Sequence, residues 1–426
     1  MHTPSLNASR KTKSTPIGEL PVEWELRRVE GLASRVTVGI VSAATHAYRK
    51  EGVVLFRNAN IREGFLVDSD VIRIDPDYER KHSNKRLRAG DVVTVRTRYP
   101  GLSAVVEKRH AGAQVFTSLI TRPRPEIVDS HYLCMFINSP VGVRQFAEAE
   151  AGGAQKNVNA GVLRKMLVIL PPLREQRKIV ETVASWDRAI ERMEKLIAAK
   201  KQLKHGLMQQ LLAGQERFKE FVGERWHTFR LGELLEPRDR YVNWSEHEAY
   251  QFASIRRRSG GLFDRGTFYG REVKTKVLKL LNAGDFAISK RQIAHGAWVM
   301  VTDSFDGFGV SDEYDVLVNR NPKALDMRFF SYLAQTRQLR HMAFLASNGV
   351  HIEKLIFVFR DFARLKVKIP SRLEEQTKIA DLLTTCDHEI HLLQAKLSAL
   401  QNQKRGLMQK LLTGKVRVTH LLTEST

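Results

Sequence analysis

The feature that most constrains the fold of this chain is a nine-residue motif that occurs twice. Residues 206–214 read GLMQQLLAG, and residues 406–414, which lie 200 positions later, read GLMQKLLTG. The match extends backwards without a gap, because residues 173–214 and 373–414 share a leucine, a Glu-Gln pair, a Lys-Ile pair and an aspartate at equivalent positions. A duplication of this length sets the architecture of a chain, so each copy is predicted to be one element of a repeated fold.

Each copy is predicted to be a long helix. No proline interrupts either copy. Each begins just after a proline, at Pro172 or Pro370, and stops at a glycine, Gly214 or Gly414. Proline before the start and glycine at the end are the usual helix boundaries.

Apolar residues recur at alternating spacings of three and four along both copies, as in a coiled-coil seam that lysines interrupt. A narrow seam on a helix of roughly 40 residues cannot bury itself, so the two copies are predicted to pack against each other. An antiparallel arrangement would place one globular domain at each end of a rod of about 60 Å. The interrupting lysines are Lys200, Lys204 and Lys404.

The regions before the helices are also repeated. PVEWELRRVEGL (21–32) and VGERWHTFRLGEL (222–234) share a tryptophan with apolar residues at the same spacing, and LRAGDVVTVRTRYPG (87–101) and LNAGDFAISKRQIAHG (281–296) share AGD. The runs DVVTV (91–95), QVFTSLIT (114–121) and EYDVLV (313–318) are predicted strands. The predicted fold class is therefore α+β, with two mixed α/β domains separated by two long antiparallel coiled-coil helices in an internal pseudo-two-fold repeat.

These patterns also predict the domain boundaries. The expected segments are a flexible N-terminal arm (1–16), a first domain (17–170), a first long helix (171–214), a second domain (215–369), a second long helix (370–414) and a C-terminal tail (415–426).

The charge balance favours a polyanionic partner. The chain has 69 Lys+Arg against 47 Asp+Glu, a net charge of +22 and a pI near 10.0. Such a field attracts nucleic acid first, although a membrane surface or an acidic protein would also fit. The first 16 residues lack the apolar core of a signal peptide, and no apolar run of about 18 residues suggests a membrane span. Cys134 and Cys386 are expected to be reduced core residues, and a cytoplasmic location is expected.

No catalytic or metal-binding residue is predicted. The sequence contains neither GxxxxGK[ST] nor GxSxG, the signatures of a phosphate-binding loop and a nucleophile elbow. DPDYERK (75–81) contains a PD and an ExK, but their spacing is too tight for two carboxylates on separate strands, so a charged surface loop is expected. His388 and His391 are expected to lie on an exposed helix face. Function is therefore predicted to lie in binding.

Several segments resemble the specificity (S) subunits of type I restriction–modification systems. IGELPVEW (17–24) resembles the opening of that family, and ERFKEFVGERW (216–226) resembles the start of its second target recognition domain. PPLREQRKI (171–179) and PSRLEEQTKI (370–379) resemble the entry into its long helices, and GLMQQLL and GLMQKLL resemble the exit. The resemblance covers nearly the whole chain, and the order and doubling of the motifs are more specific than any one motif.

The resemblance implies a non-catalytic DNA-recognition subunit. Each target recognition domain would read one half of a bipartite site in double-stranded DNA, and the helix pair would set the gap and dock two methyltransferase (M) subunits. The chain itself would bind no cofactor. S-adenosylmethionine for adenine N6 methylation would lie in the methyltransferase, and ATP and Mg would lie in the restriction (R) subunits that join through it. No membrane contact is implied.

Candidate DNA-binding residues were sought in loops that combine side chains able to read bases or grip phosphates. The loops follow AGD or precede the final apolar run in both halves, with further basic loops nearby. The candidates comprise both possible base-reading residues and possible phosphate-binding residues. The candidates of the first half are Arg57, Asn58, Asn60, Arg96, Arg98, Tyr99, Gln155, Lys156, Asn157 and Asn159, and those of the second are Arg256, Arg257, Arg258, Lys290, Arg291, Gln292, Asn348 and His351.

Two other hypotheses remain open from the sequence. The chain could serve a related type II-like methyltransferase–nuclease, or it could be a basic coiled-coil scaffold that binds proteins or RNA. The basic run KLIAAKKQLKH (195–205) fits an acidic methyltransferase, the DNA, or a plain solvated helix face.

Overall fold

The computed structural model describes residues 11–42, 44–97, 99–151, 158–351 and 354–422. Their contacts divide the chain into unit 1, which comprises residues 1–193 and 396–426, and unit 2, which comprises residues 194–395. Each unit therefore contains parts of both long helices.

The first half of the chain supplies twelve of the described strands and six helices. The strands are β1 (Thr12–Thr15), β2 (Gly18–Pro21), β3 (Glu25–Arg28), β4 (Ala33–Val38), β5 (Tyr48–Arg49), β6 (Val53–Phe56), β7 (Ile72–Ile74), β8 (Val92–Thr94), β9 (Ser103–Val105), β10 (Gln114–Val115), β11 (Leu119–Pro123) and β12 (Leu167–Leu170). The helices are α1 (Val29–Leu32), α2 (Pro76–Arg80), α3 (Ser130–Asn138), α4 (Pro140–Ala151), α5 (Ala160–Lys165) and α6 (Leu173–Leu211).

The second half repeats this plan within its described residues. The strands are β13 (Trp226–Arg230), β14 (Leu235–Pro237), β15 (Ala249–Ile255), β16 (Leu262–Tyr269), β17 (Leu278–Leu280), β18 (Phe286–Ser289), β19 (Trp298–Met300), β20 (Gly309–Ser311), β21 (Tyr314–Asn319), β22 (Ser347–Asn348), β23 (Ile356–Phe357) and β24 (Lys366–Pro370). The helices are α7 (Leu231–Leu234), α8 (Met327–Ala334), α9 (Arg337–Leu345), α10 (Phe359–Arg364) and α11 (Leu373–Leu412).

Sheet topology shows which part of the repeat is conserved between the units. An antiparallel sheet has the order β4-β11-β8-β9 in unit 1 and β14-β21-β18-β19 in unit 2. In both units a short antiparallel ladder, β3–β12 or β13–β24, runs directly into a long helix. The second four-stranded sheet differs, with orders β10-β6-β7-β5 and β16-β15-β20-β17. The predicted α+β fold with an internal repeat is confirmed.

The long helices pack against each other inside each unit. In unit 1 Ile179 and Val183, near the start of α6, share a core with Met408 and Leu411, near the end of α11. In unit 2 the roles are exchanged, because the end of α6 packs against the start of α11 around Leu383. The beginning of one helix meets the end of the other in both cores, so the antiparallel prediction is confirmed.

The lysines that interrupt the seam are held by acidic residues of the opposite helix. Lys204 Nζ lies 2.6 Å from Asp387 Oδ1 in unit 2, and Lys404 Nζ lies 2.5 Å from Asp187 Oδ1 in unit 1. Lys200 lies 2.7 Å from Glu389. Lys204 and Lys404, which are equivalent in the repeat, therefore each pair with the repeated aspartate of the other copy.

The repeated Glu-Gln pair fastens the start of each helix to its own unit. Gln176 Nε2 donates to the carbonyls of Ile127 and Pro171, and its Oε1 accepts from the amide of Asp129. Gln376 makes the same three bonds, to Ala324, Pro370 and Asp326. A fully satisfied buried amide of this kind fixes the angle at which the helix leaves the domain.

The repeated glutamate binds an arginine from beyond the end of the other helix. Arg417 contacts Glu175 in unit 1 at 2.6 and 2.7 Å, and Arg217 contacts Glu375 in unit 2 at 2.8 and 2.6 Å. Glu175 also accepts from the Trp24 indole at 3.0 Å. These hydrogen bonds raise the pKa of both arginines. Residue 417 therefore belongs to the folded core of unit 1 and is not part of a loose tail.

The glycines that end the repeated nine-residue motif have a steric role. Gly214 and Gly414 have φ values of 68° and 70°, the left-handed conformation that closes a helix. A Cβ on Gly414 would lie 2.5 Å from Pro21 Cδ and 3.2 Å from Trp24. On Gly214 it would lie 3.2 Å from Trp226. The glycine lets the helix end pack against the repeated tryptophan of its own unit.

The shared AGD motif forms the same turn in both domains. Asp91 accepts from the amide of Arg88 and from the guanidinium of Arg122, and Asp285 likewise accepts from Asn282 and Arg240. A bidentate arginine pair of this kind holds the turn that leads into β8 or β18.

Some predictions about local structure were wrong. QVFTSLIT is not one strand, because Thr117 has a φ of 57° and the chain passes from β10 in one sheet to β11 in another. Residues 12–15 of the expected flexible arm form β1, paired with β2, while residues 1–10 lie outside the described part. DPDYERK is not a charged surface loop but helix α2 with its cap, and Glu79 is buried against Arg86.

The cysteines agree with the expected core role only in part. Cys134 is buried, and burial raises the pKa of its thiol to about 12. Cys386 is half-buried on α11. Neither forms a disulfide.

Candidate nucleic-acid interface

The loops that carry the candidates of the first half come together in unit 1. Asn58 Nδ2 donates to Thr97 Oγ1 at 3.1 Å, which joins the loop after β6 to the turn between β8 and β9. The Val158 amide donates to the Arg96 carbonyl at 3.2 Å, and Arg96 Nε donates to the Val158 carbonyl at 3.1 Å. These bonds assemble three segments that are far apart in sequence.

Two of the candidates in unit 1 serve the scaffold. Asn60 is 2% exposed, its Oδ1 accepts from the Arg57 amide, and its Nδ2 donates to the carbonyls of Val67 and Ser69. Asn60, a predicted DNA-binding residue, therefore holds its own loop together and does not present its amide to a ligand. Asn58 is half-buried, and both ends of its amide are bonded within the unit.

The other described candidates of unit 1 reach the surface to different extents. Tyr99 is 74% exposed at the tip of the β8–β9 turn. Arg57 is half-buried and donates to the carbonyl and carboxylate of Asp70. Asn159 is exposed and caps α5 through the Val162 amide. Arg98, Gln155, Lys156 and Asn157 lie outside the described residues.

The candidate loops of unit 2 also converge. Arg257 Nε donates to Gln292 Oε1 at 2.9 Å, and the Arg258 amide donates to the His295 carbonyl at 2.7 Å. The Phe357 amide donates to the Lys290 carbonyl at 3.0 Å, which brings the β22–β23 hairpin to the same place. The β15–β16 turn, the β18–β19 turn and this hairpin therefore form one surface, named here the unit 2 loop surface.

Most candidates on the unit 2 loop surface are exposed. Asn348 and His351 belong to this group and so do Arg256, Arg257, Arg258 and Arg291. Arg256 also lies 4.8 Å above the Phe263 ring. Guanidinium groups held at exposed turns are suited to phosphate oxygens and to the O6 and N7 atoms of guanine.

Two cations of this surface, Lys290 and Arg291, are partly neutralised by neighbouring carboxylates. Arg291 contacts the two carboxylate oxygens of Glu313 at 2.5 and 3.2 Å, which raises the pKa of Arg291. Lys290 is half-buried and lies 3.7 Å from Asp315, a carboxyl whose pKa is raised by burial. DNA contact through Arg291 would require exchange of Glu313 for phosphate.

Sequence reasoning missed basic residues on helix α9. Arg340 is exposed, and its Cδ lies 3.7 Å from the position that a Cβ on Gly296 would take. Arg337 and His341 are exposed on the same helix. The signal in the sequence is the basic run TRQLRH (336–341), which lies in a helix and not in a loop.

Equivalent positions in the two units carry these loops. The β8–β9 and β18–β19 turns both follow the AGD motif and join the same pair of strands in the conserved sheet. The turn after the AGD motif carries Arg96 and Tyr99 in unit 1 and Lys290, Arg291 and Gln292 in unit 2, which are side chains of the kinds that contact nucleic acid.

Metal-binding clusters and membrane-spanning helices are both absent from the described part of the chain. It contains no cluster of three His, Cys, Asp or Glu side chains that could hold a metal ion. His388 and His391 are exposed on α11. Within the same residues, no helix is both long and apolar enough to cross a bilayer.

Comparison with known proteins agrees with the doubled architecture. The family model of the type I restriction modification DNA specificity domain matches residues 21–201 and again residues 223–402. The chain is 24% identical to the MjaX type I restriction enzyme specificity subunit assigned in Methanocaldococcus jannaschii, over 95% of this chain and 96% of that protein.

Solved structures show the same fold. A chain from a study of complex assembly and conformational transition of the type I R-M system superposes with a TM-score of 0.60 at 19% identity, covering 93% of this chain and 99% of that one. The HsdS subunit from Thermoanaerobacter tengcongensis superposes with a TM-score of 0.54 at 18% identity, covering 95% of this chain and 100% of that one. With both repeats matched by the family model, the chain belongs to the type I restriction–modification DNA specificity family, as a specificity subunit with two DNA specificity domains.

Proposed function

We propose that each unit reads one half of a bipartite site in double-stranded DNA and that the helix pair sets the gap between the halves. The observation that supports this most directly is the convergence of separate loops in each unit, around a turn after the AGD motif that occupies the same place in both. The net charge of +22 supplies the attraction to DNA that does not depend on sequence.

In this proposal the chain performs no catalysis and works in the cytoplasm. It docks two methyltransferase subunits, which use S-adenosylmethionine to methylate adenine at N6. Restriction subunits that use ATP and Mg join through them. The chain's own contribution is to position the target adenine by holding both half-sites at once, since effective concentration multiplies two modest affinities.

A methylation map tests this function. The chain would be expressed with its neighbouring methyltransferase in a host that lacks adenine methylation, and N6-methyladenine would be mapped by long-read sequencing. We expect a single bipartite motif with a fixed unspecified gap, and no methylation when this chain is left out. Methylation that persists without the chain would favour a scaffold, and a motor-driven nuclease gene nearby would separate a type I system from a type II-like one.

Lengthening the helix pair tests the spacing role. Four residues would be inserted after Met193 in α6 and after Ala395 in α11, the two points where the units divide. Four residues add about 6 Å, close to two base pairs at about 3.4 Å each. We expect methylation to move to sites with a gap about two base pairs longer and with unchanged half-sites. Altered half-site sequences would contradict a spacing role.

A further inference from the structure

The two halves of the helix pair differ on their exposed faces. In unit 2, Leu196, Ala199, Leu203 and Gly206 follow one another at spacings of three and four along α6 and form a single stripe. Leu196 and Leu203 are 42% and 54% exposed. Leucines of this exposure on one helical face leave an apolar surface uncovered in the described chain.

The equivalent stripe of unit 1 has lost its leucines. The residues 200 positions later are Lys396, Ala399, Gln403 and Gly406, on the part of α11 that belongs to unit 1. Lys396 and Gln403 are exposed. The small residues are therefore kept in both copies, whereas both leucines are replaced by polar side chains.

A second position shows the same difference. Leu392, on the part of α11 that belongs to unit 2, is 54% exposed, and its equivalent in unit 1 is the exposed Arg192. All three exposed leucines of the long helices lie in unit 2 among the described residues. The difference therefore separates one half of the helix pair from the other.

The kept glycines indicate that something approaches both stripes. A glycine inside a helix is less favourable than alanine, because it loses more backbone entropy on folding. A Cβ on Gly206 or Gly406 would have nothing within 4 Å, so no packing within this chain requires either glycine. An open position of this kind lets the backbone of another helix come close.

The charges beside the stripes define the chemistry of the occupant. Residues 195–205 (KLIAAKKQLKH) and 396–405 (KLSALQNQKR) contain no acidic residue. Lys201 and His205 are exposed next to the unit 2 stripe, and Arg405 is exposed next to the unit 1 stripe. A helix that combines apolar residues with acidic flanks would be complementary to both, a helix-in-groove mode of recognition.

We propose that these stripes bind acidic amphipathic helices of the two methyltransferase subunits, and that the unit 2 stripe binds much more tightly than the unit 1 stripe. This inference rests on the proposed function for the partner and adds that its two docking positions are unequal. Burying leucines in place of lysine and glutamine gives a difference in affinity on the order of 100-fold. A complex with one methyltransferase therefore accumulates on dilution, occupied at unit 2.

Native mass spectrometry of the co-expressed complex over a dilution series tests the inequality. We expect complexes with two methyltransferases to give way to complexes with one before any free chain appears. Hydrogen–deuterium exchange of the one-methyltransferase complex identifies the occupied position. We expect protection of residues 194–210 and exchange of residues 396–410 as rapid as in the free chain.

Reciprocal variants provide matched controls. Leu196→Lys with Leu203→Gln gives unit 2 the residues of unit 1, and we expect two weak positions. Lys396→Leu with Gln403→Leu gives unit 1 the residues of unit 2, and we expect two tight positions. All four side chains are exposed, so circular dichroism and thermal unfolding are expected to stay unchanged.

The outcomes separate this inference from the proposed function. Two equal positions that are insensitive to both exchanges would overturn the inference and leave the proposed function intact. No methyltransferase bound under any condition would overturn the proposed function itself. Exchanges that change self-association of the chain in place of methyltransferase binding would show that the leucines meet a second copy, and would also overturn the inference.

Discussion

Replacing Glu175 by alanine is expected to destabilise unit 1 by about 3–5 kcal/mol, the cost of breaking a buried ion pair. Glu175 is 1% exposed, and its carboxylate receives hydrogen bonds from Arg417 and from the indole of the fully buried Trp24. The substitution leaves a guanidinium that is 10% exposed with only one counter-charge, the exposed Glu23 at 2.9 Å. It also leaves a buried indole N–H without an acceptor.

Two further glutamates calibrate this result. Glu375→Ala breaks the equivalent pair in unit 2, but the Trp226 indole already lacks a partner there, so a smaller loss of about 2–3 kcal/mol is expected. Glu220→Ala removes a pair with Lys378 in which both side chains are about half exposed, so the smallest loss of stability of the three is expected.

Hydrogen–deuterium exchange is the suitable measurement, because a chain of two units need not unfold in one step. Exchange should accelerate at the start of α6 and around residue 417 in the Glu175→Ala variant. The decrease in melting temperature should be largest for Glu175→Ala, smaller for Glu375→Ala and smallest for Glu220→Ala. A Glu175 variant as stable as the Glu220 variant would show that the contact with Arg417 contributes little.

Replacing Arg256, Arg257 and Arg258 together by alanine is expected to weaken DNA binding by about 100-fold or more at physiological salt. The three residues are exposed on the β15–β16 turn, which is part of the unit 2 loop surface. If each grips one phosphate, the slope of log K against log salt should become shallower by up to about 3, since each contact contributes about 0.9. Fluorescence anisotropy across a salt series would measure both quantities.

Matched variants separate the loop surface from the general charge of the chain. The β13–β24 ladder offers three exposed cations, which are Arg225 just before β13 and Lys366 and Lys368 in β24. Their replacement by alanine removes the same charge. We expect a much smaller effect there. Replacing residues 256–258 by lysine should leave the slope of log K against log salt unchanged. It should reduce discrimination between half-site sequences, because lysine lacks the bidentate fork of arginine. Equal losses in the loop and ladder variants would contradict a specific role for the loops.

The repeat made most of the fold predictable from the sequence. Paired helices, their antiparallel order and the equivalent AGD turns all followed from matching one half against the other. Alignment also contained a signal that was not used, since Arg217 and Arg417 lie 200 positions apart just beyond Gly214 and Gly414. The repeat therefore extends past its terminal glycines to the two arginines that bind the repeated glutamates.

The candidate interface was less predictable. Composition located the loops, but it could not show that the Asn60 side-chain amide hydrogen-bonds three backbone groups nearby. The break at Thr117 was hidden for a related reason, because β-branched residues on either side have the same strand propensity in one sheet or in two. Which polar group faces inward depends on partners that are distant in sequence.

The division of the helices between the units has a consequence for synthesis on the ribosome. Unit 2 is one continuous stretch, whereas unit 1 needs residues 396–418 to cover Ile179 and Val183 and to neutralise Glu175. Domains generally fold in the order in which they emerge. Here the domain that emerges first is completed last, and its apolar surface stays uncovered until more than 200 further residues have been synthesised. A nonsense mutation near codon 396 would therefore spare the downstream unit and disable the upstream one.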